Sequence, residues 1–511
     1  MTTSEALVLG LDVGTSGVKA ILVDGSGRVI DEETTELTLH IPRPGWSEQS
    51  PEDWWSATVI SIGKLMLRQA NSADRIQGVG VSGQMHGAVF LDSQARVLRP
   101  AILWNDQRSD QECGQITQLV GFERLVSLTG NRAYPGFQAP KILWVRNNEP
   151  DVYRRTSMIL LPKDYINLRL TNALASEPSD AAGTLLLDVN TRDWSSEVLT
   201  KLELSEGLLA PVMNSSSAVI GAVSPEAATA TGLRHGTKVV AGGADNACAA
   251  LGSGIADDPA TVMVSLGTSG TVLAPSPAPR IDPQARLHTF CHALDETWYS
   301  MGVVLSAGGS LRWFRDVAQS GDQALSYDQI TSEAANIPVG SQGVTFLPYL
   351  SGERTPHAAP NARGVFFGLS LGTTRADLSR AVLEGITFAL RDSMELLLEI
   401  GIEPRRVRVT GGGARSRFWL QMLADVMNVP IWTVRSDAGP AYGAAILAGA
   451  GTNLFESAAE TAKSFAPTSS EIEPDSGNRS AYDTAYSTYR DLYPALAPLF
   501  ASPGTSGAEA T

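Results

Sequence analysis

The sequence that decides the fold is LDVGTSGVKAILVD, residues 11–24, where a Gly-Thr-Ser-Gly turn separates two apolar runs. The turn consists of Gly14, Thr15, Ser16 and Gly17. The same four letters return at residues 267–270 inside VMVSLGTSGTVL, again between apolar runs. A third copy at residues 504–507 has no apolar neighbours. The flanking runs, rather than the four letters, therefore indicate a strand–turn–strand unit that occurs twice.

Each unit begins a series of short predicted strands. The apolar runs predict strands at 7–13, 18–23 and 28–31 in the first series, and at 261–266, 271–274 and about 298–305 in the second. Because tight turns join the strands, we expect each series to be an antiparallel meander. Because the two series begin in a similar way, the sequence predicts two related halves, with a boundary near residues 252–260.

Two further stretches have clear helix signals. Residues 376–400 carry apolar side chains near helical spacing, with a capping box formed by Thr374 and Asp377 before them and Gly401 after them. A predicted strand at 406–410 leads through Gly-Gly-Gly-Ala into a helix over about 416–427. The sequence thus predicts both strands and helices.

Length and composition narrow the function classes. A chain of 511 residues suits two domains of about 250 residues each. A hydrophobic fraction of 43% and a charged fraction of 18% are typical of a globular protein and argue against disorder. The formal net charge of −15 argues against a nucleic-acid partner or an anionic membrane surface, because both attract clustered Lys and Arg. An acidic chain can still bind an anionic small molecule through backbone N–H groups of a glycine-rich loop.

Cysteine usage and the apolar runs bear on the cellular compartment. Cys113, Cys248 and Cys291 show no paired spacing, which favours a reducing, cytoplasmic setting over a disulfide framework or a CxxC metal site. The first residues lack the pattern of a signal peptide. The longest weakly polar run, residues 239–256, contains an Asp-Asn pair and consists largely of Gly and Ala. We therefore predict no membrane span.

The paired turns suggest a phosphate site. A Gly-Thr-Ser-Gly turn brings N–H and hydroxyl donors close to a ligand, although a single such turn is usually a plain hairpin. Two turns, one from each half, can face each other across a cleft. Asp12 stands where a phosphate-bound Mg²⁺ can use a carboxylate, or where it caps local N–H groups, and Lys19 adds a cation. The sequence contains no GxxxxGK[ST], so this is not the common P-loop.

A second glycine-rich element lies at residues 411–414. Its sequence, GGGA, does not fit GxGxxG, so a Rossmann dinucleotide site is not indicated. Between a strand and a helix, these residues offer close backbone approach to a flat ring or a ribose. The alternative is a tight strand-to-helix turn without a ligand.

Several polar residues are candidates for binding an acceptor. Asp245, in AGGADNACAA, can accept a hydrogen bond from an attacking hydroxyl, and Asn246 can hold a neighbouring hydroxyl; the alternative is an Asx turn. His86, after a predicted strand at 78–81, is either a ligand contact or a structural histidine. Three neighbouring residues follow another apolar run: Trp104, Asn105 and Asp106. Their aromatic face, amide and carboxylate suit either a sugar-binding site or the anchoring of a loop.

Longer segments make the sequence resemble the FGGY family of carbohydrate kinases over about residues 7–495. GFQAPKILWVRNN at 136–148 and GVFFGLSLGTTRADLSRAVLE at 364–384 correspond to the two family signatures. Shorter segments are similar to those of family members that act on xylulose: SGQMHG at 82–87, LWNDQR at 103–108, LSAGGSLRWFRD at 305–316 and LPYLSGERTPHA at 347–358.

The resemblance implies an actin-like fold, in which two ribonuclease-H-like α/β domains enclose a nucleotide cleft. It implies a first domain at residues 1–253, a second at 254–495 and a flexible tail at 496–511. ATP and Mg²⁺ are the implied donor and metal, with the two turns as paired phosphate loops. The implied nucleotide-binding residues are Gly14, Thr15, Ser16, Gly17, Lys19, Gly267, Thr268, Gly308, Gly309, Gly411, Gly412, Gly413, Ala414 and Ser416.

The resemblance also assigns roles at the acceptor. Asp245 matches the catalytic base, and Asp12 matches the residue that serves Mg-ATP. Met85 and His86 match the contacts to a ketose. The residues near them are Asn246 and Trp104.

The expected reaction is therefore transfer of phosphate from ATP to the 5-hydroxyl of D-xylulose. A related kinase for ribulose, glycerol or erythritol is the nearest alternative, and an actin-like ATPase without a sugar substrate is a more distant one. Relatives are often dimers, so the resemblance extends to a homodimer.

Three residues depart from the family pattern. Lys19 stands where relatives often have Arg, Gln138 where Ser, Thr or Pro is expected, and Ala182 where Ser is expected. We expect Gln138 and Ala182 to influence the sugar pocket rather than the reaction.

Overall fold

The structure, a computed structural model of the chain, describes residues 5–69, 72–319, 325–434, 439–465 and 471–501. The strands in these ranges, β1 to β21 in chain order, are Leu7–Val13, Gly17–Asp24, Val29–Glu36, Glu48–Gln49, Ile76–Gly83, Val89–Leu91, Ala101–Ile102, Met158–Leu160, Leu187–Asp188, Asp193–Trp194, Val219–Ala222, Lys238–Val240, Gly243–Ala244, Thr261–Leu266, Gly270–Ser276, His288–Cys291, Trp298–Val304, Thr345–Leu347, Val365–Phe367, Arg406–Thr410 and Ile431–Thr433.

The helices in the same ranges, α1 to α17, are Pro51–Arg68, Asp110–Val120, Phe122–Thr129, Gln138–Asn148, Pro150–Arg155, Pro162–Thr171, Pro178–Ala181, Ser196–Leu202, Pro225–Thr231, Asp245–Gly252, Gly308–Val317, Tyr327–Ala335, Arg375–Glu399, Arg417–Met427, Gly439–Gly451, Ala458–Phe465 and Arg479–Phe500. The capping box predicted from Thr374 and Asp377 is present at the start of α13. Gly401, with a φ of 80°, follows its end as predicted.

The first sheet has the strand order β11-β12-β5-β1-β2-β3. Its strands β1, β2 and β3 are antiparallel, whereas β5 runs parallel to β1 and β12 runs parallel to β5. Strand β1 is buried along nearly its whole length, because neighbouring elements cover both faces of the sheet; this explains its unbroken apolar sequence.

The second sheet repeats this arrangement, with the order β16-β17-β15-β14-β20-β21. Strands β17, β15 and β14 are antiparallel, and β20 and β21 continue the sheet in parallel to β14. Both sheets thus contain three antiparallel strands followed by two parallel ones, and in the first sheet β11 adds an antiparallel edge strand beside β12. The predicted pair of ribonuclease-H-like α/β units is confirmed, and β16 extends the second sheet beyond the predicted meander.

The two halves are less separate in space than in sequence. Helix α15, which comes late in the chain, packs against β1 and β5 of the first sheet and against α10. A Cβ at Gly10 would lie 2.0 Å from the carbonyl oxygen of Ala441, and one at Gly80 would lie 2.1 Å from that of Ala444. Glycine at these positions therefore permits the helix to lie directly on the strands.

The weakly polar run and the predicted tail have different outcomes. The weakly polar run 239–256 is divided among β12, β13 and α10, and no helix of the described residues is long and apolar enough to cross a bilayer. Residues 496–500, assigned to the tail by sequence, instead form the end of α17. The rest of the predicted tail, residues 502–511 with the third Gly-Thr-Ser-Gly, lies outside the described residues.

Candidate active site

A cavity of about 220 Å³ lies where the two halves meet. The first half contributes Met85, His86, Trp104, Tyr134, Gly136, Phe137, Asp245 and Asn246. The second half contributes Ser269, Thr271, Met301, Val303, Leu305 and Arg354. Most of the acceptor residues that the sequence predicted therefore come together in one place. We call this space the acceptor cavity.

Asp245 is the first residue of α10 and lines the acceptor cavity. One of its carboxylate oxygens, Oδ1, accepts hydrogen bonds from the backbone N–H of Asn246 at 2.7 Å and from its side-chain Nδ2 at 3.0 Å. Burial raises the pKa of Asp245 to about 6, against the lowering effect of the Asn246 donors. At neutral pH the group is thus chiefly ionised.

Asp12 lies near Asp245 at the carboxyl end of β1. In the sheet it is paired with Lys19 on β2 and with Ser82 on β5. Burial raises its pKa to about 7, the negative charge of Asp245 adds to the rise, and Lys19 opposes it. Its Oδ1 is buried and has no hydrogen-bond partner in the described structure.

This unpartnered oxygen fits the magnesium ion that the family resemblance implies. Mg²⁺ is commonly held by one or two carboxylates together with phosphate oxygens and water. The described residues contain no group of three or more His, Cys, Asp or Glu that could hold a metal by themselves. A single carboxylate, Asp12, is what an ion bound mainly to nucleotide phosphates would use.

His86 lies in the cavity wall in a left-handed backbone conformation, with a φ of 71°. Its Nδ1 is 2.5 Å from the carbonyl oxygen of Gly183, so Nδ1 carries the proton and donates it. Burial lowers the pKa of His86 to about 3, which keeps the ring neutral at physiological pH. The second ring nitrogen, Nε2, is therefore a hydrogen-bond acceptor.

Residues outside the cavity hold the backbone of His86 in place. The buried Lys141 amino group donates to the carbonyl oxygens of His86 at 2.8 Å and Gly136 at 2.7 Å. Gln138, one of the departures from the family pattern, donates to the carbonyl oxygen of Gly87 at 2.8 Å. Gln138 thus acts on the cavity through the main chain. Ala182, another departure from the family pattern, is buried next to Gly183 in the sequence and does not line the cavity.

The predicted sugar-binding trio divides into two groups. Trp104 lines the acceptor cavity, and its Nε1 donates to Thr15 Oγ1 at 2.9 Å. Asn105 and Asp106 do not belong to the lining. The Asp106 carboxylate is fully buried and binds Arg108 and the backbone N–H of Ser47, which favours the loop-anchor interpretation for it.

The first turn faces the acceptor side. The hydroxyl of Thr15 donates to Gln84 Oε1 at 2.9 Å while it accepts from Trp104. Ser16 is exposed at the tip, and the Gly14 N–H donates to the carbonyl oxygen of Gly17 at 3.0 Å. Lys19 Nζ lies 2.9 Å from a carboxylate oxygen of Glu32.

The second turn borders a larger cavity of about 770 Å³. Its lining includes predicted nucleotide-binding residues, namely Gly267, Thr268, Gly308, Gly412, Gly413 and Ser416. The N–H groups of Gly308 and Gly309, at the start of α11, donate to the carbonyl oxygens of Gly267 and Thr268, each at 2.9 Å. The size and the glycine backbone of this cavity suit a nucleotide, and we call it the nucleotide cavity.

The Gly-Gly-Gly-Ala element closes one side of the nucleotide cavity. Gly411 has a φ of 87° and lies so close to β14 that a Cβ would be 2.6 Å from the carbonyl oxygen of Leu266. Ser416 caps α14 by accepting the backbone N–H of Trp419 at 3.3 Å. Of the predicted residues here, Gly309, Gly411 and Ala414 lie next to the lining rather than in it.

Sequence reasoning missed several residues of the acceptor cavity. Phe137 lies in the first family signature and Tyr134 just before it, and Arg354 lies in the segment LPYLSGERTPHA. Ser269 and Thr271 continue the second turn. The segments were recognised, but a linear sequence gives no signal for which of their side chains face the cavity.

Comparisons with known proteins agree with this geometry. The model of the FGGY family of carbohydrate kinases, N-terminal domain, matches residues 7–252, and the model of the C-terminal domain matches residues 262–452. The chain is 44% identical to the xylulose kinase of Escherichia coli (strain K12), over 97% of this chain and 100% of that protein. It is 40% identical to the xylulose kinase of Bacillus subtilis (strain 168), over 95% of this chain and 96% of that protein.

A solved structure extends the similarity to three dimensions. The crystal structure of xylulose kinase from Rhodospirillum rubrum matches with a TM-score of 0.90 and 31% identity. The match covers 97% of this chain and 100% of that chain. Both halves and the cleft between them therefore have counterparts in a known structure.

Proposed function

This chain belongs to the FGGY family of carbohydrate kinases, and we propose that it transfers the γ-phosphate of ATP to the 5-hydroxyl of D-xylulose, giving D-xylulose 5-phosphate. The proposal draws on the curated xylulose kinases that resemble the chain over nearly their whole length. It also rests on the chemistry of the two cavities.

The position of the second turn carries the proposal. Thr268 lines the nucleotide cavity, and the next residue, Ser269, lines the acceptor cavity. A phosphate held at this turn would therefore lie between a nucleotide on one side and a hydroxyl compound on the other. This is the arrangement that direct phosphoryl transfer requires, because the reaction depends mainly on positioning and on charge stabilisation.

Asp245 is the proposed catalytic base. Because Asn246 occupies Oδ1, Oδ2 is the oxygen that would accept the hydrogen bond of the attacking hydroxyl. The transition state of phosphoryl transfer is loose, so the hydroxyl needs orientation more than early loss of its proton. A carboxylate with a pKa near 6 can accept the proton once the bond to phosphorus forms.

His86, Asn246 and Met85 are the proposed contacts to the remaining hydroxyl groups. The neutral His86 ring offers an acceptor at Nε2, and Asn246 Nδ2 lies 3.8 Å from Met85 Sδ, which joins these side chains in one wall. Asn105 and Asp106 would support this wall through their loop.

Asp12 would hold the magnesium ion, directly or through a water molecule, together with the phosphates of ATP. When bound, Mg²⁺ neutralises part of the phosphate charge. Lys19 partly offsets the charge of Asp12. The nucleotide would lie along both turns, Gly308, Gly309 and residues 411–416, as the sequence predicted.

The test is ADP release by the purified protein with Mg-ATP and a panel of acceptors. The panel contains D-xylulose, L-xylulose, D- and L-ribulose, glycerol, erythritol and no sugar. We expect a rate that depends on D-xylulose and that falls about 1,000-fold or more in Asp245→Asn, because general bases contribute about 100- to 10,000-fold. Asp151→Asn, which removes a carboxylate from an exposed surface pair, serves as the matched control.

The outcomes separate the alternatives. Near wild-type turnover by Asp245→Asn would remove Asp245 from the catalytic role. Preference for ribulose, glycerol or erythritol would retain the mechanism and change the substrate. Equal ADP release with and without every acceptor would favour an actin-like ATPase.

We also propose a cytoplasmic location and a homodimer. All three cysteines are buried and unpaired, as is usual in a reducing compartment. The homodimer rests on analogy with relatives, and light scattering on the eluted protein would test it.

A further inference from the structure

Arg354 stands out among the residues that line the acceptor cavity. It comes from the segment LPYLSGERTPHA, whose similarity to xylulose-specific relatives has so far been given no chemical role. Among the described residues of the lining, Arg354 is the one cationic side chain and Asp245 is the one carboxylate. The cavity thus has a single charge of each sign.

The charge of Arg354 has no carboxylate partner. Its guanidinium carbon lies 4.9 Å from the centre of the Tyr134 ring, and in the described structure its side chain makes no hydrogen bond or ion pair. The adjacent Glu353 does not compensate it, because burial raises the pKa of Glu353 to about 8 and its carboxyl is chiefly protonated at pH 7. A cation in a cavity wall without a carboxylate partner favours a ligand that supplies an oxygen acceptor.

Arg354 and Asp245 have different surroundings in the acceptor cavity. The Arg354 guanidinium carbon lies 4.9 Å from the centre of the Tyr134 ring, and that ring lies 5.5 Å from the ring of His288. Asp245 instead contacts Asn246, whose Nδ2 lies 3.8 Å from Met85 Sδ. Arg354 and Asp245 therefore have different neighbours in the cavity wall.

The main chain around Arg354 is fixed to the cavity wall. Thr355 Oγ1 accepts the backbone N–H of Val303, which itself lines the cavity, at 3.1 Å. The same hydroxyl donates to the carbonyl oxygen of Arg286 at 3.1 Å. The guanidinium is therefore presented from a well-anchored segment, as a specificity group needs to be.

We propose that Arg354 is a specificity-determining residue that binds the C1–C2 end of the acceptor, where a ketose has its carbonyl oxygen, and that a five-carbon sugar acid binds there in competition with the ketose. The inference rests on the proposed function, since it uses the same cavity and orientation. The inference adds the sugar acids, or aldonates, to the ketoses as a class of ligand for this cavity.

The chemistry of the guanidinium supports this assignment. Arginine is a donor without any acceptor, and its forked N–H groups match a carboxylate with two bonds. A ketone oxygen accepts hydrogen bonds but cannot donate them, so the carbonyl of the open-chain ketose is also a suitable partner for the guanidinium. A simple polyol gives only hydroxyl oxygens there, and we expect it to bind more weakly than the acid.

The test uses D-xylonate, which keeps the C3–C5 part of D-xylulose and ends in a carboxylate. We expect D-xylonate to inhibit ADP release competitively with D-xylulose. In Arg354→Gln, the KM for D-xylulose and the inhibition constant of D-xylonate should both rise roughly 10- to 100-fold, as for loss of a charged hydrogen bond, with a smaller change in kcat.

Arg132→Gln is the matched control. Arg132 also lies over the Tyr134 ring, with its guanidinium carbon 5.6 Å from the ring centre, but it does not line the cavity. We expect this variant to retain the wild-type KM and inhibition constant. Equal inhibition of wild type and Arg354→Gln by D-xylonate, or an unchanged KM in Arg354→Gln, would overturn the assignment.

A measurement on the wild type alone covers the case in which Arg354→Gln does not fold. Titration calorimetry without nucleotide should show D-xylonate binding at least roughly tenfold tighter than xylitol. Equal or weaker binding of D-xylonate would overturn the inference. Because this experiment needs no turnover, tight D-xylonate binding without D-xylulose-dependent ADP release would contradict the proposed function and not the role of Arg354.

Discussion

The two Gly-Thr-Ser-Gly turns have the same sequence and the same hairpin setting, but they contact different parts of the site. In the first turn, the Thr15 hydroxyl accepts from Trp104, a wall of the acceptor cavity. In the second turn, the Thr268 hydroxyl accepts from Arg312 at 3.1 Å, within the nucleotide cavity. The same hairpin therefore has different neighbours in the two halves, Trp104 in the first and Arg312 in the second.

The residue two positions before each turn shows the same contrast. The first turn is preceded by Asp12, whose Oδ1 is buried and has no hydrogen-bond partner in the described structure. The corresponding residue before the second turn is Ser265, which has no charge. The two halves have equivalent strand–turn–strand units. At this position, however, the first half has a carboxylate that could bind a phosphate-bound cation, whereas the second half has a hydroxyl group.

In the comparison of the two turns, the largest expected effect comes from disturbing the second turn through Gly308. A Cβ at this position would lie 2.5 Å from the carbonyl oxygen of Gly267, so Gly308→Ala must displace the turn. We expect kcat/KM for ATP to fall about 10- to 100-fold, because displacement of a binding group by about 1 Å has effects of this size. Steady-state kinetics with varied ATP would measure it.

Gly14→Ala is the matched change in the first turn. Its Cβ would lie 3.3 Å from the carbonyl oxygen of Gly17, a contact that a small adjustment can relieve. We expect a smaller loss than for Gly308→Ala. A larger loss in Gly14→Ala would show that the first turn is the more constrained of the two.

The pH dependence should come from the carboxylates of the first half. Burial raises the pKa of Asp245 from 3.8 to about 6, and the ionised form is the one that accepts the hydroxyl proton. Activity should therefore be present above this pKa and fall as the pH drops through about 6, by about tenfold at pH 5. A profile of kcat/KM for D-xylulose that stayed flat down to pH 5 would contradict the assignment.

The smallest expected effects come from removing single hydroxyl groups of the turns. Thr15→Val removes the acceptor of Trp104 and should raise the KM for D-xylulose about three- to tenfold. Thr268→Val removes the acceptor of Arg312 and should raise the KM for ATP by a similar factor. Kinetics with each substrate varied in turn would distinguish the two, and identical effects on both substrates would remove the proposed difference between the turns.

Much of the site could be predicted because its residues lie next to recognisable local patterns. Met85 and His86 follow β5, Asp245 begins α10, and Gly308 follows β17. Short apolar runs ending in glycine-rich or polar turns give a clear signal, since strands and turns depend on neighbouring residues. The positions of Asn105 and Asp106 differ from this pattern because adjacent residues in a loop face different directions.

Other features had no local signal. Arg354 reaches the acceptor cavity from a segment more than 100 residues away from Asp245 along the chain, and it meets Tyr134 from the other half. The protonation of His86 depends on Gly183, which is 97 residues away. Helix α15 lies on the first sheet although its sequence belongs to the second half.

The sequence by itself determined the repeated strand–turn–strand units, the helix limits around α13 and the resemblance to a kinase family, because these depend on residue order and spacing. Tertiary structure alone decided which side chains each turn contacts, which carboxylates are desolvated enough to change their pKa, and that an arginine without a carboxylate partner faces the acceptor cavity. Burial and electrostatic interaction arise from atoms brought together across the fold, and their energies depend on distances that residue order does not specify.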